Sequence, residues 1–204
     1  MQAGPAHPAN RPTSDPAMAL TQIPTGLAQV PAEAVQLKPY HNSRWSFCVS
    51  YPAGWDLNES LDGAGIRVSK GGRAPVVSIT VGALPSQPRG FLTGDFDDDT
   101  PMTLRENGQY YLKNLGDQPD RKVEVQETRS TQIAGVPAVW TRVRLEDRTD
   151  VRVEESIWLL RKGAVFSLSL NCKSSDFALY DLVFRQVLET FKPDCRQAPR
   201  PKRR

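Results

Sequence analysis

Short runs of alternating apolar and polar residues, separated by turn residues, recur along most of this 204-residue chain and constrain its fold more than any other feature. Successive side chains of a strand point to opposite faces, so a period of two predicts half-buried strands. Seven strands are predicted in this way, with a proline- and glycine-rich surface loop over residues 84–100 between the third and the fourth. The predicted strands contain Phe47–Tyr51, Ile66–Val68, Val76–Val81, Lys122–Gln132, Ala138–Leu145, Val151–Leu160 and Ala164–Cys172.

Two other segments have the 3.6-residue period of amphipathic helices. The first is predicted to begin at Thr100-Pro101, a hydroxyl cap followed by proline at the first helical position, and to end at Gly116. The second follows Ser175-Asp176, and its aromatic and aliphatic residues recur at helical spacing up to Pro193. This order predicts an α+β domain, in which a mainly antiparallel sheet of six to seven strands, beginning with the strand that contains Cys48, packs against helices.

Composition divides the chain into three parts. Residues 1–42 are predicted to be a disordered or extended lead, because the first 40 residues contain seven of the 17 prolines and almost no charge. Residues 43–193 form the predicted globular domain. Residues 194–204 form a basic tail, and the last 13 residues carry six lysines or arginines against one aspartate. We expect a solubilising extension, with an electrostatic tether to an acidic partner as the alternative.

Charge and hydrophobicity also bear on partners and location. The net charge of +3 is concentrated in the tail, so the folded part lacks the basic face of a nucleic-acid-binding domain. No window approaches the roughly 18 consecutive apolar residues of a membrane-spanning helix. The lead lacks the basic start and apolar run of a secretory signal. A proline- and alanine-rich lead nevertheless suits a domain spaced from a surface, so we expect a periplasmic or secreted protein whose signal has been removed, with a cytoplasmic protein as the alternative.

Three cysteines allow at most one internal disulfide. The helix predicted between Cys172 and Cys195 carries these two residues apart, so Cys48 and Cys195 are the more reachable pair. Three free thiols are the main alternative to this bridge. No Cys-x-x-Cys pair is present, which argues against a zinc or redox site.

The sequence contains no arrangement typical of an enzyme, a cofactor or a metal. Its histidines are His7 and His41, and it has neither a Gly-x-Ser-x-Gly elbow nor a phosphate-binding loop. We therefore expect no catalytic residue, cofactor or metal. Thr100 stands where a calcium-binding loop needs glycine, so the acidic residues around it are expected to be solvated at a helix start, with weak calcium binding as the alternative. The residues with that calcium-like spacing are Asp95, Asp97, Asp99 and Glu106.

One face of the hairpin Ala138–Leu160 is the candidate binding surface. A turn centred on Asp147-Arg148-Thr149 places Arg144 opposite Arg152, and two like charges in such a pair reduce stability unless an anion compensates them. Arginine and aromatic residues are also common binding anchors. The alternative is structural, with acidic neighbours satisfying the arginines and the tryptophans lying beneath a helix. The candidate binding residues are Trp140, Arg142, Arg144, Arg152 and Trp158.

Several motifs resemble those of PsbP-like domains. Phe47–Trp55 resembles the opening strand of the family, with its Y-P-x-G-W ending. The turn Ile133–Ala138, the segment Cys172–Asp176 and the helix end Thr190–Pro193 fit the same pattern. The resemblance covers about residues 43–193 and implies an α/β/α sandwich of about six antiparallel strands between helices. It also implies adaptor-like binding, because the superfamily includes thylakoid-lumen subunits, Ran-binding import factors and exported bacterial proteins similar to DcrB and LpqN.

We therefore expect a non-enzymatic, exported bacterial domain that binds a protein partner or a small ligand through one sheet face and its rim. One alternative is a small-molecule or lipid carrier, which would need an apolar cavity between the sheet and the terminal helix. Another is a secretion-associated chaperone or adaptor in the cytoplasm, which would need an exposed apolar groove.

Overall fold

The computed structural model describes residues 35–195 except 73–74, 96, 99 and 119. Most of the predicted lead and nearly all of the predicted tail lie outside the described residues. The strands of the described part are β1 (Leu37–Asn42), β2 (Phe47–Pro52), β3 (Asp56–Glu59), β4 (Gly65–Lys70), β5 (Val77–Pro85), β6 (Lys122–Ile133), β7 (Val136–Glu146), β8 (Val151–Arg161) and β9 (Ala164–Lys173). Its α-helices are α1 (Gly90–Thr93), α2 (Leu104–Gly116) and α3 (Phe177–Thr190).

Seven of the strands form an antiparallel sheet in the order β3-β4-β5-β9-β8-β7-β6. Two of its hairpins turn over two residues, Ala134-Gly135 and Lys162-Gly163, all four of which have positive φ. This conformation gives a turn whose twist matches that of the flanking strands. The predicted class, an α+β domain with an antiparallel sheet of six to seven strands, is confirmed.

The first strand of this sheet is not the predicted one. β2, which contains Cys48, pairs with β1 in a separate two-stranded sheet. The edge of the main sheet is instead β3, which pairs with β4. The sequence of β3 gives no strand signal, because all four of its residues are exposed and none alternates with a buried one. β1 also begins at Leu37, so the structured region starts before residue 43, the predicted boundary.

The helix α2 starts later than its sequence predicts. Its cap is Thr103 rather than Thr100, and Leu104 is its first residue. The Thr103 hydroxyl accepts a hydrogen bond from the backbone N–H of Glu106 at 3.3 Å, while the Glu106 carboxylate accepts one from the Thr103 N–H at 2.7 Å. This capping box satisfies two N–H groups that would otherwise lack partners, which a start at Thr100 would not do. The short helix α1 lies within the predicted loop.

The core lies between the main sheet and a layer made of α3 and the two-stranded sheet. We call the sheet face under α3 the inner face; Ile79, Ile157 and Leu168 lie on it. The predicted Phe-bearing helix is α3, and its Phe184 is fully buried against this face. Trp55, which ends the Y-P-x-G-W segment, packs edge-to-face on Tyr180 of α3 at 5.9 Å.

Candidate functional site

The hairpin β7–β8 has a different register from the predicted one. Its strands are joined by four residues, 147–150, rather than three. Arg144 therefore faces Val153, and Arg152 faces Leu145, so the predicted pair of arginines is wrong. Because strand side chains alternate, this shift of one residue separates the predicted surface into two. The inner face carries Trp140, Arg142 and Arg144, and the opposite face, which we call the outer face, carries Arg152 and Trp158.

Trp140 is covered by protein groups. Its side chain is 1% exposed, and the guanidinium groups of Arg129 and Arg142 lie 4.2 and 4.9 Å from its ring centroid. The Arg142 guanidinium also lies 4.6 Å from the ring centroid of Phe177, the first residue of α3. Cations over aromatic faces are attracted by the ring quadrupole, so this stack helps to hold α3 on the inner face.

The inner-face arginines have acidic partners within the protein. Glu155 is completely buried, and its carboxylate lies 3.0 Å from Arg142 and 2.7 Å from Arg185 of α3. A buried carboxylate flanked by two guanidinium groups is compensated without a ligand. Arg144 lies 3.4 Å from Glu146. The inner-face residues Trp140, Arg142 and Arg144 therefore fit the structural alternative, in which acidic neighbours satisfy the arginines.

The outer face contains a cleft of about 1260 Å³, which α2 and the loop 147–150 border. β5 and β9 direct apolar residues to the inner face and mainly small polar residues to the cleft, and this difference between the two faces is visible in their sequences. Because these side chains are small, they leave space above the sheet between α2 and the loop 147–150. The floor of the cleft consists of Ser78, Thr80, Ser156, Ser167, Ser169 and Asn171.

The two ends of the cleft differ in polarity. At one end Trp158 lies beneath α2, with its ring centroid 5.2 Å from that of Tyr111, and Leu84 and Val165 line the floor beside it. Gly108 of α2 packs on this ring, and a Cβ there would make an ordinary van der Waals contact with it at 3.6 Å. The other end is cationic. Arg152 and Lys173 pair there across β8 and β9, whereas Arg67 of β4 lies beside Thr80 at the side of the floor; Arg121 is the fourth basic residue that lines the cleft.

Glu154 is a buried carboxylate at the centre of the cleft. It is 7% exposed, and it accepts hydrogen bonds from Ser156 at 3.1 Å, from Asn171 at 3.0 Å and from the Tyr111 hydroxyl. Burial raises the pKa of the Glu154 carboxyl above its ordinary value. From the sequence alone, Glu154 is one of the acidic neighbours that would satisfy the arginines of the hairpin. The run Arg152-x-Glu154-x-Ser156, polar at every second position, was the signal in the sequence of this second polar face.

Arg152 is fixed at the cationic end of the cleft. Its Nε donates to the Asn171 side chain at 2.5 Å, and its Nη1 donates to Asp150 at 3.2 Å. Of the five predicted binding residues, Arg152 and Trp158 line the cleft.

A disulfide joins Cys48 to Cys195, with 5.5 Å between their Cα atoms. The sulfur atoms and a ring nitrogen of His41 lie within 4.8 Å of one another. A metal ion requires thiolates, and both sulfurs are engaged in the disulfide. Cys172 is a free thiol in the core, where burial raises its pKa to about 11.

The acidic segment before α2 uses its carboxylates locally. Glu106 completes the capping box and lies 2.8 Å from Arg89. Asp95 accepts a hydrogen bond from the backbone of Asp97, and Asp98 accepts one from that of Thr100. Asp99 lies outside the described residues.

The chain has been compared with protein-family models, curated proteins and solved structures. No family model and no curated protein matches it. The solution structure of cyanobacterial PsbP (CyanoP) from Synechocystis sp. PCC 6803 matches with a TM-score of 0.58 and 16% identity, over 79% of this chain and 95% of that one. A point mutant of the protein Mog1 matches with a TM-score of 0.51 and 11% identity, over 79% of this chain and 97% of that one.

These matches and the layers described above define an α+β domain with helices on both faces of an antiparallel sheet. Its fold is the PsbP-like fold, as the sequence motifs indicated. At such identities the likeness is one of fold, and function has to be argued from the site. Among the helices in the described part of the chain, none has the length and hydrophobicity needed to cross a membrane.

Proposed function

We propose that this protein is a non-enzymatic binding domain whose ligand site is the outer-face cleft. The observation that supports the proposal most is the floor of small polar side chains beside α2, in a cleft of about 1260 Å³. Ligand sites are concave, and they combine apolar walls with a few polar groups in fixed positions. Trp158 and Leu84 supply the apolar part here, and Asn171 and Arg152 are held in place by hydrogen bonds.

The position of the cleft differs from that expected for a carrier. A carrier of the predicted kind would hold its ligand between the sheet and α3. Side chains fill that space, since Phe184, Val187 and Phe191 are at most 1% exposed. The outer face is therefore the better candidate. A protein partner, the other expectation, stays a prediction that co-purification would test.

The contacts of Glu154 favour binding over catalysis. A buried carboxyl group with a raised pKa in a cleft is a candidate general acid or base. Both oxygens of Glu154 already accept hydrogen bonds from protein groups, namely Tyr111, Ser156 and Asn171. Glu154 thus orients the side chains that line the cleft, which is a positioning role.

The proposed location is the periplasm or the extracellular space. The disulfide between Cys48 and Cys195 supports it, because disulfides persist in oxidising compartments. Alkylation of thiols in intact cells of the native organism, before lysis, should leave both cysteines unlabelled. Labelling of both would place the protein in a reducing compartment and contradict the proposal.

Blocking the cleft tests its proposed role. A library of polar metabolites is screened for ligands that raise the melting temperature of the native protein, as binding to the folded state requires. Ser169→Phe fills the floor of the cleft and should abolish these shifts. Ser130→Phe is the matched control, because Ser130 is an exposed residue of the edge strand β6 outside the cleft. Equal shifts in both variants would contradict the proposal.

A further inference from the structure

Three hydroxyl groups on the floor of the cleft are available to a ligand. Thr80 and Ser169 face each other across β5 and β9, and Ser167 precedes Ser169 on the same side of β9. All three residues are half-buried, and none of their hydroxyls makes a hydrogen bond to a residue in the described part of the chain. Each can both donate and accept a hydrogen bond. An apolar ligand on this floor would leave them unpaired, which costs free energy.

Two cations that line the cleft also lack ion pairs. Arg152 is paired with Asp150, and Arg121 with Asp147. Arg67 and Lys173 form no ion pair with any described carboxylate, and the Arg67 guanidinium reaches only the Ser78 hydroxyl, at 3.4 Å. The cleft therefore has uncompensated positive charge at two places, on β4 and on β9.

The arrangement of these groups limits the ligand. Arg67 and Lys173 lie two strand spacings apart across the sheet, about 10 Å, and four residues apart along it, about 13 Å, which favours a ligand that carries more than one anionic group. The floor from Val165 to Lys173 extends about 26 Å at roughly 3.3 Å per residue, which suits an oligomer. The hydroxyls of Thr80 and Ser169 lie level with Arg67 and four residues along β9 from Lys173, so a molecule that carries both hydroxyls and anionic groups matches them.

On the basis of the proposed function, we propose that the cleft binds a polyhydroxylated anion, of the class of short oligomers of sugar acids. Its hydroxyls would pair with Thr80, Ser167 and Ser169, and its carboxylates with Arg67 and Lys173. A neutral sugar would leave the two cations uncompensated, and a fatty acid would leave the floor hydroxyls without partners.

Isothermal titration calorimetry of the full chain with three probes tests this inference. The probes are trigalacturonate, the neutral trisaccharide maltotriose and dodecanoate. We expect trigalacturonate to bind at least about tenfold more tightly than either of the others, and more weakly as sodium chloride is raised, since salt screens partly exposed charges. Equal affinity for both trisaccharides, tighter binding of dodecanoate, or no binding of trigalacturonate would overturn it.

Variants locate the interaction. Arg67→Gln and Lys173→Gln should each weaken trigalacturonate binding by up to about fivefold, the range expected for a contact of an exposed charge, since both side chains are exposed. Lys70→Gln is the matched control, because Lys70 lies on β4 three residues from Arg67 and therefore on the other side of the strand. Equal weakening by the control would overturn the inference.

Failure of the sugar-acid inference can be distinguished from failure of the proposed function of the cleft. If Ser169→Phe abolishes the binding of other library ligands while trigalacturonate fails to bind the native protein, the inference falls and the proposed function stands. If trigalacturonate binds Ser169→Phe as tightly as the native protein, both fall.

Discussion

At the scale of single residues, Glu154 has the environment with the clearest consequence for stability. Burial raises the pKa of its carboxyl above the ordinary value of 4.5, despite the hydrogen bonds from Asn171 and Ser156 that act in the opposite direction. A carboxyl whose pKa is raised by folding stabilises the folded state while it is protonated. That contribution is fully present below pH 4.5 and is lost as the pH rises through the raised pKa.

The variant Glu154→Gln tests this prediction, because it removes the titrating group. The free energy of unfolding of the native protein, minus that of the variant, should decrease as the pH is raised from about 4 towards neutrality. Urea denaturation at a series of pH values measures the difference. Since the carboxylates of Asp147 and Asp194 have lowered pKa values in both proteins, their opposite pH dependence cancels. A difference that does not change with pH would contradict the prediction.

At the scale of elements, the start of α2 distinguishes two threonines that the sequence alone confuses. Thr103 accepts the hydrogen bond from the Glu106 N–H, whereas Thr100 precedes the helix. Thr103→Ala should therefore lower the free energy of unfolding by about 1 kcal/mol, and Thr100→Ala by less than about 0.5 kcal/mol. Denaturation curves of the two variants provide the measurement, and the reverse order would show that the cap is Thr100.

The same element shows where sequence reasoning reaches its limit. The existence of α2 and its end at Gly116 follow from the period of its apolar residues. Its first residue depends on which hydroxyl reaches a free N–H group, and Thr100-Pro101 and Thr103 both satisfy the sequence rule for a cap. The capping box decides between them, because Glu106 stands three residues after Thr103, whereas neither Glu nor Gln stands three residues after Thr100; the prediction from Thr100-Pro101 did not use this local signal.

The candidate site was only partly predictable for a related reason. Alternation identified β7 and β8, and two of the predicted binding residues, Arg152 and Trp158, line the cleft, but the number of residues in the turn determines which strand positions face each other. An additional loop residue, Asp150, moved Trp140 and Arg144 to the other face. The cleft itself depends on β5, β9 and α2 coming together, and no local pattern in the sequence specifies that.

At the scale of the whole molecule, the disulfide connects the second strand to the segment that follows the last helix. Cys48 and Cys195 are 147 residues apart, so the bond removes much of the freedom of the unfolded chain. The double variant Cys48→Ser/Cys195→Ser should lose about 2–5 kcal/mol of unfolding free energy. In denaturant without reductant, the native protein should show one reactive thiol, Cys172, and three such thiols would contradict the disulfide.

The two faces of the main sheet have separate tasks, and this division gives the last prediction. The inner face holds the core against α3, and the outer face forms the cleft. Phe184→Ala removes a fully buried ring of α3 and should lower the unfolding free energy by about 3–5 kcal/mol, whereas Leu182→Ala, at a side chain that is 51% exposed, should have a much smaller effect.

Ligand binding should depend on the outer face and not on the packing of the inner face. Under conditions where Phe184→Ala remains folded, its affinity for a cleft ligand should stay within about twofold of the native value, because mutations at sites without shared partners act nearly independently. Ser169→Phe should abolish that binding. A large loss of affinity in folded Phe184→Ala would show that the packing of α3 determines the shape of the cleft, and that the two faces are coupled through the sheet.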